Sequence, residues 1–125
     1  MAICRRFIAG ILVTLVFAPL LARTIEGVGI FSTPRDWSAP CPADLKFVGT
    51  INASRWPVRV EYRWERSDGA VSARRFIEVR SQHQRVTETW RLGRYRQHMV
   101  VWERLHVLAP TNIKSGQALV TVNCR

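Results

Sequence analysis

From Asp44 onward the apolar residues fall at every second position. Leu45, Phe47 and Ile51 share one parity, with Gly49 between them. Val58, Val60, Tyr62 and Trp64 alternate with Arg59, Glu61, Arg63 and Glu65. In an extended chain alternate side chains point to opposite faces, so this segment predicts a strand that is apolar inside and charged outside. Ser67-Asp68-Gly69 then supplies a turn, with Gly69 free to take a positive φ. Val71–Val79 and Arg85–Leu92 predict two further strands around a polar turn at residues 81–84. In the second, Val86, Trp90 and Leu92 share a face with Glu88, and Gly93 ends the strand. His98–Leu108 predicts the longest strand, stopped by Pro110. Ala118, Val120, Val122 and Cys124 alternate with Leu119, Thr121 and Asn123 in the last one. About seven strands at roughly ten-residue spacing predict an all-β antiparallel sandwich or barrel. The expected core holds Tyr62, Trp64, Trp90 and Trp102. Residues 23–40, interrupted by Gly27, Gly29, Pro34 and Pro40, predict an irregular lead-in.

The N-terminus follows a different pattern. Arg5 and Arg6 precede an uncharged apolar run, Phe7–Ala22. This is the layout of a secretory signal peptide over residues 1–22, or of an uncleaved anchor. The run is short for a membrane span, which needs about 20 apolar residues. Cys4 falls inside this leader, so Cys41 and Cys124 remain as an even pair. In an exported small domain such a pair predicts a disulfide. The expected location is secreted or periplasmic.

Charge adds a further expectation. Of the 19 basic residues Arg5 and Arg6 belong to the leader, and the other 17 face 9 acidic ones. A basic excess favours anionic partners. Arg91, Arg94, Tyr95, Arg96 and His98 crowd one turn, which makes Arg91, Arg94, Tyr95 and Arg96 the anion-binding candidates. Guanidinium forks recognise phosphate, sulfate and carboxylate in pairs of hydrogen bonds, and an exposed aromatic ring stacks on a sugar or base. Arg59 and Arg63 on the strongest strand, and Arg74, Arg75 and Arg80 beyond it, add to the basic inventory. Trp37 and Trp56 lie in expected loops beside arginines, as lids on the sandwich or as an exposed pair for carbohydrate or protein.

Catalytic patterns are weak by contrast. The acids Asp44, Glu61, Glu65, Asp68, Glu78, Glu88 and Glu103 are scattered, and arginines alternate with Glu61 and Glu65. No nucleophile elbow is present. His98 and His106 share a parity, but eight strand steps separate them by roughly 26 Å, too far for one ion. No metal, cofactor or enzymatic activity is expected.

The segments CPADLKFVGTI, VRVEYRWERSDGA, VTETWRLG, WERLHVLAP and SGQALVTVNC together resemble a group of small secreted bacterial proteins that carry one immunoglobulin-like domain. The resemblance covers about residues 41–125 and implies a fold and an exported location rather than an activity. One departure from antibody-type domains stands out. Their bridge joins two central strands and packs on a tryptophan, whereas Cys41 precedes the first clear strand and Cys124 nearly ends the chain. The bridge is therefore expected to tie the two ends of the domain together.

The functional expectation is an exported, non-catalytic binding or interaction module for an anionic partner. Envelope polyanions, polysaccharides and secreted proteins fit that description. Nucleic acid is disfavoured by the missing reader motifs and by export. A membrane would be met only through an uncleaved leader or through surface charge. The alternative is an inhibitor that plugs the cleft of a secreted hydrolase with its basic loop.

Overall fold

The computed structural model describes residues 10–14 and 24–125. Apart from residues 10–14, the expected leader lies outside the described residues. Every regular element among them is a strand: β1 (Ile25–Thr33), β2 (Asp36–Ala39), β3 (Ala43–Ala53), β4 (Val58–Arg66), β5 (Arg75–Val79), β6 (His83–Leu92), β7 (His98–Ala109), β8 (Ile113–Lys114) and β9 (Ala118–Cys124). One sheet has the order β1-β3-β6, and the other has the order β2-β9-β7-β4-β5 with β8 on β7. All pairings are antiparallel except β2 with β9. Two facing sheets joined this way make a sandwich, one of the two architectures that the period-two pattern predicts, and of the immunoglobulin-like kind that the resemblance implies.

The core forms where the inner phases of the two sheets meet. Leu45, Phe47 and Ile51 on β3 face Val60, Tyr62 and Trp64 on β4, with Leu105 and Val107 on β7 and Val120 and Val122 on β9. Trp64 is buried, and Gly49 makes room for it. A Cβ on Gly49 would lie 2.6 Å from Leu105 Cδ2 and 3.1 Å from Trp64 Cη2. The indole fills the space that any other residue at 49 would occupy.

Two expectations about strands and core need correction. Residues 23–40 are not an irregular lead-in, because they hold β1 and β2. β1 pairs along β3 from Ile25↔Ala53 to Thr33↔Lys46, so its backbone groups are satisfied by the ladder. Gly27 and Gly29 pair with Asn52 and Thr50 on the outer face, where the strand needs no bulky side chain. Pro34 and Pro40 fall outside the strands and separate them. Trp102 is not a core residue. On β7 the buried phase is Val101, Glu103, Leu105 and Val107. Trp102 lies in the opposite phase, half-buried on the outer face, with the Arg104 guanidinium 5.5 Å from its ring. Tyr62, Trp64 and Trp90 are buried as expected.

Cys41 and Cys124 form a disulfide across a sequence separation of 83, with their Cα atoms 5.2 Å apart. It joins the connection between β2 and β3 to the end of β9, so it does not tie the two ends of the domain as expected, because β1 and β2 precede Cys41. A disulfide persists in an oxidising environment, extracellular or periplasmic. Closing a loop this long contributes about 4–5 kcal/mol through the unfolded state.

Candidate anion-binding site

The basic turn carries the chain from one sheet to the other. β6 ends at Leu92, β7 begins at His98, and the intervening residues pack beside the disulfide. Gly93 takes a φ of 102°. A Cβ there would lie 2.8 Å from Cys124 Sγ and 2.9 Å from Cys41 Sγ. Only glycine fits both that backbone and that contact. The Gln97 amide donates to Arg94 O at 3.0 Å, and the Arg94 amide donates to Gln97 Oε1 at 3.0 Å. The Cys124 amide donates to Gln97 O at 2.9 Å. Turn, disulfide and C-terminal strand are thus one joint.

This joint presents its cations outward. Arg94, Tyr95 and Arg96 are exposed, Tyr95 to 72 %. The Arg96 guanidinium sits 5.2 Å from the Tyr95 ring. Arg96 has a φ of 61°, a left-handed conformation that costs a non-glycine residue about 1–2 kcal/mol. Arg91 stands on the outer face of β6, with its Nε 3.7 Å from Asp44 Oδ1 and both side chains mostly exposed. Among the described residues no acid pairs with Arg94 or Arg96. The turn itself carries Arg94, Tyr95 and Arg96, while Arg91 lies on β6 beside Asp44, and His98 joins Asn123 at 2.9 Å.

Six of the other described arginines are paired with acids, whereas Arg35, Arg55, Arg59, Arg85 and Arg125 are in no ion pair. On the outer face of the six-stranded sheet Glu65 accepts from Arg63 at 2.9 Å and from Arg104 at 2.6 Å, with Lys114 at 3.8 Å. Glu61 pairs with Arg74 at 3.3 Å, and Glu78 pairs with Arg80 at 3.4 Å. Arg59 has a ring partner instead, Phe76 at 4.5 Å. Burial pushes the Glu65 carboxyl up, but its hydrogen bonds with Arg104, His106 and Arg63 outweigh that and hold it at about 2. His106 is buried beside it, with Nδ1 3.0 Å from Glu65 Oε2 and Nε2 2.6 Å from Asn112 Oδ1. Both ring nitrogens are engaged, so this histidine and carboxylate brace the sheet rather than face a substrate.

A second charged group lies between the layers, and sequence reasoning missed it. Arg66 reaches Glu88 at 3.2 Å and Glu103 at 3.6 Å, while its guanidinium covers the Trp90 ring at 4.7 Å. Arg75 holds Glu88 at 2.7 Å. Glu103 is fully buried, and neither carboxylate oxygen has a hydrogen-bond partner. Burial is the main cause that lifts its carboxyl to about 7, with Glu88 adding to the rise and Arg66 and Arg75 opposing it. The sequence could not reveal it, since both phases of β7 are apolar and only packing turns the phase of Glu103 inward. The ion pair between Arg75 and Glu88, like the contact between His106 and Glu65, required knowledge of which strands meet.

The tryptophans in expected loops do not form a pair. Trp37 sits on β2 and packs against the core. Trp56 is half-exposed in the turn before β4, and β9 and β7 separate β2 from β4. Among the described residues no group of three or more His, Cys, Asp or Glu side chains is placed to hold a metal ion.

No protein-family model and no curated protein matches the chain. Among solved structures it is similar to the CARDB domain of the PF1109 protein from Pyrococcus furiosus, described as a complex with di-metal ions. That likeness has a TM-score of 0.58 at 9 % identity and covers 83 % of this chain and 99 % of the other. At that identity the likeness concerns the fold.

Proposed function

We propose that this protein is an exported, non-catalytic interaction module that binds an anionic partner through Arg91, Arg94, Tyr95 and Arg96. The observation that carries the reading is the clamped turn. Arg94 and Arg96 are held outward by a joint built on the disulfide, without acidic partners, while the glutamates of β4 to β7 are paired with other cations. A pre-positioned donor loses little freedom on binding, which favours a site over a mobile surface charge. The leader pattern and the disulfide support an oxidising compartment as the place of action.

The test is retention on immobilised heparin. Replacing Arg91, Arg94 and Arg96 by Gln removes the forks, keeps the size and lowers the salt needed for elution. Replacing Arg59 and Arg63 matters less, because Arg63 is already committed to Glu65. Co-elution of the two variants would show that binding is only the diffuse effect of net charge.

A further inference from the structure

The neutralised arginines leave the question of where the basic excess is concentrated. The outer face of the three-stranded sheet is one answer. Register places Asp44 opposite Arg91, Lys46 opposite Thr89, Val48 opposite Thr87, Thr50 opposite Arg85 and Asn52 opposite His83. These residues share one face, because the alternate set Leu45, Phe47, Ile51, Val86 and Trp90 is buried inside. The face therefore carries Lys46, Arg85 and Arg91 against a single acid, Asp44. Lys46, Arg85, Thr87, Thr89 and Arg91 are all exposed. No ion pair engages Lys46 or Arg85 among the described residues.

A depression lined by Asp44, Lys46, Thr89 and Arg91 marks one end of this face, and small residues of β1 leave the other end open. β1 contributes Gly27 and Gly29 beside Asn52 and Thr50, and nothing lies within 4 Å of where a Cβ on Gly29 would be. Phe31 pairs with Val48 and leaves 41 % of itself exposed on the same surface. The result is an exposed area of hydroxyls and amide groups with one aromatic edge and three cations. Along β6, Arg85 and Arg91 are six residues apart, about 20 Å in an extended strand. The chain then runs from Arg91 into the turn that bears Arg94 and Arg96.

We infer that the outer face of β3 and β6 is a binding track for a linear anionic polysaccharide, continuous with the basic turn. This rests on the anion-binding reading above and adds the partner class and the extent of the site. Cations spaced along one strand suit a polymer with regularly repeated carboxylate or sulfate groups rather than a single small anion. Thr87, Thr89 and Asn52 offer donors and acceptors to ring hydroxyls, and Phe31 offers a flat apolar edge to a sugar face. The exposed residues run the length of β6, from His83 to Arg91, a span that suits an extended chain.

The experiment uses heparin oligosaccharides of graded length, with polyphosphate as a ringless polyanion, titrated at fixed salt. Three paired variants are compared with the parent protein, each checked for an unchanged melting temperature. Lys46→Gln with Arg85→Gln should weaken long heparin roughly tenfold, as expected for two charge-assisted contacts, and leave fragments too short to span about 20 Å unaffected. Arg74→Gln with Arg80→Gln removes the same net charge from the other sheet and should change little. Thr87→Val with Thr89→Val keeps the β-branched shape and should weaken heparin but not polyphosphate. Equal losses for the two charge variants would overturn the track and leave only diffuse attraction. If only Arg91, Arg94 and Arg96 matter, the track fails while the turn remains the site. If the threonine variant weakens both ligands alike or neither, the face does not read sugars and the polysaccharide assignment falls.

Discussion

Glu103→Gln should stabilise this protein at neutral pH and flatten its dependence on pH. The Glu103 carboxyl is fully buried on β7 without a hydrogen-bond donor, and burial lifts it from an ordinary 4.5 to about 7. The charged groups around it are Arg66 on β4, Arg75 on β5 and Glu88 on β6. Below pH 4.5 the group is protonated in both folded and unfolded chains and carries no penalty. Between 4.5 and about 7 the folded protein holds a proton that the unfolded chain has lost, so stability falls as pH rises. Above that window the loss is complete. At about 1.4 kcal/mol for each tenfold change in proton affinity, it amounts to roughly 3 kcal/mol. For a domain of this size that corresponds to a fall in melting temperature of roughly 10–20 °C. Urea denaturation at intervals from pH 4.5 to 8 measures it. The parent protein should lose stability across the window, and Glu103→Gln should not. Glu65 does not interfere, because its carboxyl is held down at about 2 and its contribution is lost only as pH falls from 4.5 towards that value. A parent protein as stable at pH 8 as at pH 5 would refute the reasoning. So would a glutamine variant with the same slope, since the slope would then belong to other groups.

Trp64→Ala should cost about 3–5 kcal/mol, because it empties the space between Gly49 and Leu105 at the centre of the core. Urea titration reads the loss, and near-parent stability would mean that the cavity collapses or that the indole is not there. Cys41→Ser should lower the melting temperature, keep the far-ultraviolet β signal and speed amide exchange at Arg94 and Gln97, since the turn rests on the sulfurs. Intact mass after alkylation of the unreduced parent protein checks the bridge itself, and two modified thiols would defeat it.

How much of this was legible in the sequence depended on whether the information was local. The alternation from Val58 to Glu65 marked β4 and its inner face correctly, because one phase is apolar and the other charged. The even cysteine pair marked the bridge, because the compartment rather than geometry settles its oxidation. In β7 the same rule failed for Trp102. Met99, Val101, Leu105 and Val107 stand in one phase and Val100, Trp102 and Leu108 in the other, so both faces read as apolar. Packing against the opposite sheet chose the phase that includes Glu103. β1 was hidden because Gly27 and Gly29 lower its local preference for a strand. It forms because β3 offers a complete ladder of backbone partners.

The candidate site divides along the same line. The crowding of Arg91, Arg94, Tyr95 and Arg96 was visible because those residues are neighbours in the chain. That Gly93 seats the turn on the disulfide was not, since Cys41 and Cys124 reach it from the connection between β2 and β3 and from the end of β9. Nor was it visible that Arg63, Arg66 and Arg75 are paired with acids while Lys46 and Arg85 on the other sheet are not. Sequence by itself determined period, composition and the local turn. Tertiary structure decided which charges cancel, because Coulomb attraction depends on distance in space and strand register sets that distance between residues far apart in the chain.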